Sequence, residues 1–133
     1  IRDHSEKFLT MALRTDYRER VAHPDAYGKR TGDCGDTVEF FLTVRNGIIQ
    51  GIGYDVQGCV NTNACANTVI ELAGGKSMDE AWKISPEEIA DYLETLPDDH
   101  FHCAELAVGA FYRALANYRE MSQSPWKKMY GSR

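Results

Sequence analysis

The first apolar residues of the chain recur at helical spacing. They predict a helix over residues 6–21, whose apolar side consists of Phe8, Leu9, Ala12, Leu13, Tyr17 and Val21. His23-Pro24-Asp25 ends this helix, because a proline disfavours helical backbone at the residue before it. The polar stretch that follows predicts one short edge strand, Tyr27–Arg30.

A strand pattern comes next. Apolar and polar residues alternate over Thr37–Arg45, which predicts a half-buried strand. Asn46-Gly47 is the strongest short signal for a hairpin turn, since both residues tolerate a positive φ. The chain then returns over Ile48–Gln57, where Gly51 and Gly53 indicate a bulge or the close approach of another backbone segment.

From Cys59 onward the pattern is helical. The first helix of this region carries Cys65 in its apolar stripe, and Gly74-Gly75 ends it. Two capping boxes, each a serine followed three residues later by a glutamate, predict short helices at Met78–Trp82 and Pro86–Thr95.

The last segment has the clearest helical pattern. One face is apolar over four turns, and its members are Cys103, Leu106, Ala107, Ala110, Phe111, Ala114, Leu115 and Tyr118. The order of helix, small antiparallel sheet and further helices predicts an α+β fold with the helices packed on one face of the sheet. The 133 residues suit a single domain, 1–133, with a core at about 6–121 and a tail at 122–133.

The net charge of the chain argues against one class of binding partner, nucleic acid. Fifteen Lys and Arg against twenty Asp and Glu give a net charge of −5, which disfavours nucleic acid, because phosphate contacts need clustered cations. No apolar run approaches about 18 residues, so no transmembrane helix or membrane partner is expected. Because the first residues also lack an apolar signal region, we expect a cytoplasmic protein whose cysteines are reduced thiols.

Three of the four cysteines lie at the ends of predicted elements. Cys34 precedes the first long strand and Cys59 follows the second, so the open end of their hairpin places them close together. Cys103 faces the sheet from the start of the final helix, where the helix N-terminus favours a thiolate. Asp36 and His102 adjoin these cysteines. Thiolate, carboxylate and imidazole together predict a site for zinc, ferrous iron or an iron–sulfur cluster.

A simpler interpretation of the cysteines remains open, since a free cysteine is most often a small buried apolar residue. It is the preferred interpretation for Cys65, which lies in the core stripe of its own helix. His100 is a candidate neighbour of the metal site. His4 and His23, by contrast, are expected to be solvated, as is the basic segment Trp126-Lys127-Lys128.

The chain resembles the NifU/IscU iron–sulfur cluster scaffold family over most of its length. The motifs that carry the resemblance are Cys34-Gly35-Asp36 before a strand, Gly58-Cys59 after the next strand, and His102-Cys103 at the opening of the last helix. The segment Tyr17-Arg18-Glu19-Arg20-Val21, which leads to His23-Pro24, is also similar to the family's N-terminal helix and its Pro stop.

The resemblance implies a function and a set of site residues. Proteins of this family assemble a 2Fe–2S cluster or carry zinc as isolated, and they pass the cluster to apo-proteins without turnover of their own. Cys34, Cys59 and Cys103 are then the cluster or metal ligands. Asp36 is the acid that makes the site labile, and His102 is a candidate fourth protein ligand beside the three thiols.

The implied partners are a cysteine desulfurase, an iron donor and apo iron–sulfur proteins. Members served by a dedicated Hsp70 carry Leu-Pro-Pro-Val-Lys before the His-Cys pair, whereas this chain has Leu96-Pro97-Asp98-Asp99-His100, so that chaperone is not implied. Two alternatives stay open: a zinc-dependent sulfur acceptor for a desulfurase, and a structural zinc module. A structural site should be closed and saturated, whereas a scaffold site should face solvent.

Overall fold

The computed structural model describes residues 5–123. In chain order its elements are α1 (Glu6–Leu13), β1 (Ala26–Thr31), β2 (Thr37–Arg45), β3 (Ile48–Gln57), α2 (Val60–Ala73), α3 (Met78–Ala81), α4 (Pro86–Leu93), a 3₁₀ turn (Asp98–His100) and α5 (Phe101–Gln123). His4 and the segment Trp126-Lys127-Lys128, expected to be solvated, lie outside the described residues.

The three strands form one antiparallel sheet in the order β1-β2-β3, so the predicted α+β class is confirmed. Asn46 and Gly47 both have positive φ, 55° and 75°, at the predicted hairpin turn. The β2–β3 register shifts between Thr43 and Val44, opposite Gly51, which is the expected irregularity. A Cβ on Gly53 would lie 2.5 Å from the backbone oxygen of Glu19, so a neighbouring backbone segment does approach this glycine.

Helices α2 and α5 cover one face of the sheet. Phe40 of β2 is fully buried there and meets Phe111 of α5 edge-to-face, with ring centroids 5.8 Å apart. Gly28 of β1 allows α5 to come close, since a Cβ at this position would lie 2.3 Å from the backbone nitrogen of Ala114. The apolar stripe predicted for the last helix is buried in this contact, and only Tyr118 of its members is partly exposed.

The other face of the sheet is less polar and less exposed to solvent than the alternation of apolar and polar residues in β2 predicts. Phe41 and Glu39 are only 5% and 8% exposed there. The ring of Tyr27 packs against Phe41, and the Arg20 guanidinium donates hydrogen bonds to the Glu39 carboxylate. These contacts lower the pKa of Glu39 despite its burial, because Arg20 and the Tyr27 hydroxyl stabilise the ionised form.

The predicted helix over residues 6–21 is wrong beyond Leu13. Arg14, the C-cap of α1, is extended, and the chain from there runs beside β3, where Arg18 forms a parallel bridge with Tyr54. The cause lies in α2. The side-chain amides of Asn63 and Asn67 donate to the carbonyl of Arg14 and to other carbonyls at the end of α1. They replace the bonds that further helix would have supplied.

The two short helices, α3 and α4, begin at the residues that the sequence predicts. Both capping boxes are present, at Ser77 with Glu80 and at Ser85 with Glu88. Helix α4 ends two residues earlier than predicted, at Leu93, where Glu94 adopts a φ of 67°. None of the described helices has the length and apolar character that a membrane crossing requires.

Candidate metal centre

Asp36, Cys59 and Cys103 lie together at one end of the sheet. One potential ligand atom from each lies within 4.8 Å of the other two. Thr37 pairs with Gln57 as the last pair of the β2–β3 hairpin, so the residues just beyond this pair are brought side by side. The first turn of α5 adds Cys103 from the helical layer. Three of the five residues that the sequence analysis names as candidate ligands therefore lie close together.

Asp36 is held against the N-terminus of α2. Its Oδ2 accepts a hydrogen bond of 2.7 Å from the Thr62 hydroxyl and one of 3.3 Å from the backbone N–H of Cys59. These bonds lower the pKa of Asp36, the Thr62 hydroxyl being the largest cause, although partial burial opposes them. Cys59 is the N-cap of α2 but makes no side-chain capping bond, so the Asp36 carboxylate takes part of that role.

Gly58 makes room for this carboxylate. A Cβ on Gly58 would lie 2.5 Å from Cγ and Oδ2 of Asp36, closer than two such atoms can come. The three nearest atoms, Cβ, Cγ and Oδ2, all belong to the Asp36 side chain, so this side chain must move if residue 58 gains a Cβ. The glycine of the Gly58-Cys59 motif therefore leaves the space that the Asp36 side chain occupies.

We expect Gly58→Ala to displace Asp36 while the protein stays folded. Zinc affinity, measured by competition with a chromogenic chelator, should fall by about 10-fold, as when a ligand loses its orientation. Gly51→Ala is the matched control, because a Cβ on Gly51, also near an end of β3, meets nothing within 4 Å. Equal affinities in the two variants would contradict this account of Gly58.

Two thiols are buried, and only one of them, Cys103, belongs to the group of candidate ligands. Cys103 is 0% exposed, and burial raises its pKa to about 11, with a smaller opposing effect from the Thr62 hydroxyl. Cys65 is also 0% exposed, and burial raises its pKa well above the ordinary value. It is packed in the core, as its place in the helical stripe predicts, and it is not a member of the three-residue group.

The raised pKa of Cys103 predicts a pH dependence. The thiol is protonated at neutral pH, so each bound ion must expel this proton, whereas Asp36 is already ionised because its pKa is lowered. Zinc affinity should therefore fall about tenfold for each pH unit between about pH 8 and 6 from Cys103 alone. Chelator competition at fixed ionic strength measures the slope, and an affinity that does not change with pH would refute a role for this thiol.

Cys34 and His102 stand beside the group of three. Both are exposed and line a cleft of about 490 Å³, together with Arg30 and Glu105. His102 Nε2 lies 3.7 Å from Cys103 Sγ, and the rings of His102 and His100 stack with centroids 5.8 Å apart. His100 also contacts Asp99 through Nδ1, at 3.0 Å. Within the described residues, neither Cys34 nor His102 belongs to the compact group of potential ligands.

Sequence reasoning missed Thr62. This threonine is fully buried, and its hydroxyl oxygen lies 3.3 Å from Cys103 Sγ and 3.5 Å from Cys59 Sγ, besides its bond to Asp36. The signal was present, since residue 62 is three positions beyond Cys59 in a helix and therefore on the same side. Such a position becomes informative only once Cys59, the N-cap of α2, is known to lie close to Asp36 and Cys103.

The donor set fits a metal ion. Two thiols and a carboxylate within 4.8 Å are the ligand types that zinc and ferrous iron accept, and the nearby exposed thiol and imidazole offer further donors. Cys59 is exposed whereas Cys103 is buried, so the group reaches from the core to the surface. A metal bound by this group would have one ligand in the protein interior, Cys103, and one at the surface, Cys59, where the metal could be exchanged.

Comparison with known proteins identifies the family of this chain. Residues 22–124 match the family described as the NifU-like N-terminal domain. The iron-sulfur cluster assembly scaffold protein IscU 1 of Archaeoglobus fulgidus is 34% identical over 85 residues, which cover 64% of this chain and 56% of that protein. The iron-sulfur cluster assembly protein IscU of Plasmodium falciparum is 33% identical over 120 residues, 90% of this chain and 72% of that protein.

A solved structure shares the fold. The N-terminal NifU-like protein from Brucella abortus superposes with a TM-score of 0.73 at 18% identity, covering 87% of this chain and 94% of that one. The chain thus spans little more than half of the Archaeoglobus relative but nearly all of this structural neighbour. Because the family match covers most of the chain and the relatives exceed 30% identity, the chain belongs to the family of NifU-like N-terminal domains.

Proposed function

We propose that this protein is an iron–sulfur cluster assembly scaffold, which builds a transient 2Fe–2S cluster and passes it to apo-proteins. The observation that supports the proposal most directly is the group of Asp36, Cys59 and Cys103 at the end of the sheet. The names of the relatives point to the same role, since the Archaeoglobus protein is named an iron-sulfur cluster assembly scaffold protein and the Plasmodium protein an iron-sulfur cluster assembly protein. The cluster is the cargo of such a protein.

The proposed ligands are the thiols of Cys34, Cys59 and Cys103, together with the carboxylate of Asp36 and the imidazole of His102. Cys34 and Cys59 are exposed, so the cargo would face solvent. A structural zinc site is closed and coordinatively saturated, which this partly open arrangement does not favour. A carboxylate among thiolates is the harder and more exchangeable ligand, as a protein that must release its cargo requires.

As a scaffold, the protein would bind and deliver a cluster and have no catalytic turnover of its own. The sulfur source would be a cysteine desulfurase, and the acceptors would be apo iron–sulfur proteins. Reduced thiols are needed at the site, which favours the cytoplasm as its location. A dedicated Hsp70 is not proposed, because Asp98 and Asp99 occupy the segment before the His-Cys pair and form a 3₁₀ turn.

The test is anaerobic reconstitution with ferrous iron, a cysteine desulfurase and cysteine. We expect visible absorption from thiolate-to-iron charge transfer, Mössbauer parameters of a 2Fe–2S cluster, and transfer of the cluster to an apo-ferredoxin. Zinc bound in preference to iron, with no cluster formed and persulfide sulfur retained on the protein, would show a sulfur acceptor instead. Zinc binding without persulfide or cluster would show a structural module.

A further inference from the structure

The Thr62 hydroxyl is at the centre of the candidate metal centre, yet a hydroxyl of this kind is a poor metal ligand in its neutral form. It lies 2.7 Å from Asp36 Oδ2, 3.3 Å from Cys103 Sγ and 3.5 Å from Cys59 Sγ. Each of the three candidate ligands in the compact group therefore contacts this one oxygen. Since Thr62 is 0% exposed, solvent does not compete for these contacts.

A hydroxyl has one proton to donate and two lone pairs that accept. The shortest of the three contacts is with the Asp36 carboxylate, which is the strongest acceptor present, so the proton goes there. The hydroxyl is also in position to donate to Cys103 Sγ, so this sulfur competes with Asp36 for the one proton, whereas in the contact with Cys59 Sγ either atom can be the donor. In this arrangement one side chain connects all three ligands and fixes the orientation of the carboxylate.

We propose that the Thr62 hydroxyl is a positioning group for Asp36 and so controls how strongly the site binds a metal ion. It holds Oδ2, together with the backbone N–H of Cys59, and so fixes the orientation in which the carboxylate can bind a metal. Outer partners of this kind orient ligating carboxylates in metalloproteins. The inference rests on the proposed function in so far as Asp36 is taken as a ligand.

The position of Thr62 in α2 gives the contact its rigidity. It is the third residue of the helix that begins at Val60, and its side chain is fixed by burial rather than by a flexible stem. Threonine is also branched at Cβ, which restricts its rotamers. The hydroxyl thus meets Asp36 without a large loss of side-chain freedom when the metal binds.

The test uses Co²⁺ binding, followed by its d–d and thiolate charge-transfer absorption, with affinity from chelator competition. Thr62→Val removes the hydroxyl and keeps the shape, and it should weaken Co²⁺ binding by about 10- to 100-fold. Thr62→Ser keeps the hydroxyl and should bind within about threefold of the unchanged chain. Thr68→Val is the matched control, because Thr68 is equally buried in α2 but donates to the Ala64 carbonyl of its own helix.

A double-mutant cycle separates positioning from a general structural effect. In an Asp36→Ala background, Thr62→Val should cost less than about threefold in affinity, because the group that it positions is gone. Unchanged affinity in Thr62→Val, failure of Thr62→Ser to restore binding, or an equal loss in the Asp36→Ala background would each overturn the inference.

Three further outcomes have defined consequences. If circular dichroism shows that Thr62→Val does not fold, the pair Thr62→Ala and Thr62→Ser carries the same comparison. If the unchanged chain binds no Co²⁺, the proposed function fails and the inference fails with it. If the unchanged chain binds Co²⁺ and forms a cluster while Thr62→Val binds as well as it does, the inference alone fails.

Discussion

Cys59→Ser is expected to lower the affinity for zinc or ferrous iron by more than about 100-fold, since even the outer partners of metal ligands are worth about 10- to 100-fold. A serine hydroxyl does not replace a thiolate as a soft ligand. The fold should survive, because Cys59 is the N-cap of α2 without a capping bond of its own, and serine is a preferred N-cap residue. Metal content after gel filtration, with melting temperature beside it, measures both effects.

The matched control for this variant is Cys65→Ala. Cys65 is fully buried in the core, so its loss should cost some stability and leave the metal stoichiometry unchanged. Cys103→Ser and Cys34→Ser should lower affinity as Cys59→Ser does, and Cys34→Ser shows whether the exposed thiol takes part in binding. Loss of metal from Cys65→Ala as complete as that from Cys59→Ser would show that the ligand assignment is wrong.

The second large effect is expected from Asp36. Replacement by Ala or Asn removes the hard, exchangeable ligand, so the reconstituted cluster should survive several-fold longer in air and transfer several-fold more slowly to an apo-ferredoxin. Absorbance decay and transfer rate, measured on the same preparation, give the two quantities. Unchanged lifetime together with unchanged transfer rate would remove the role in cluster release that we propose for this carboxylate.

The two replacements of Asp36 separate its structural and functional roles. Asp36→Ala also loses the acceptor for Thr62 and for the backbone N–H of Cys59, which should cost about 1 kcal/mol of stability. Asp36→Asn keeps an oxygen acceptor at this place, so its melting temperature should stay closer to that of the unchanged chain. A longer cluster lifetime in both variants, with a lower melting temperature only in Asp36→Ala, would distinguish a scaffold from a structural zinc module.

Much of this fold was predictable because its signals are local. The Asn46-Gly47 turn, both capping boxes and the apolar stripe of the last helix depend on residues within a few positions of one another, and all are confirmed. The hairpin also predicts that Cys34 and Cys59 approach each other at its open end, where the structure has Asp36 in contact with Cys59. A hairpin with a known turn fixes its register, and the register fixes which residues are neighbours at the open end.

The end of α1 was not predictable in the same way. Tyr17 and Val21 continue the helical spacing of the first segment, and no local breaker precedes Pro24. The helix stops at Leu13 because Asn63 and Asn67, about 50 residues away, bind the carbonyls at its end. A contact between residues so far apart in the sequence does not change the spacing of apolar residues in either segment.

The sequence by itself determined the fold class and the presence of three cysteines at the ends of elements, since short-range patterns and hairpin geometry are sufficient for these. Tertiary structure decided that Asp36 lies in a group with two of these cysteines, Cys59 and Cys103. Tertiary structure alone decided that Cys34 lies beside the group of ligands in an open cleft. It also decided that Thr62 connects the three ligands. These features depend on how closely α2 and α5 pack at the end of the sheet, and the positions of side chains in such a junction follow from contacts between distant segments.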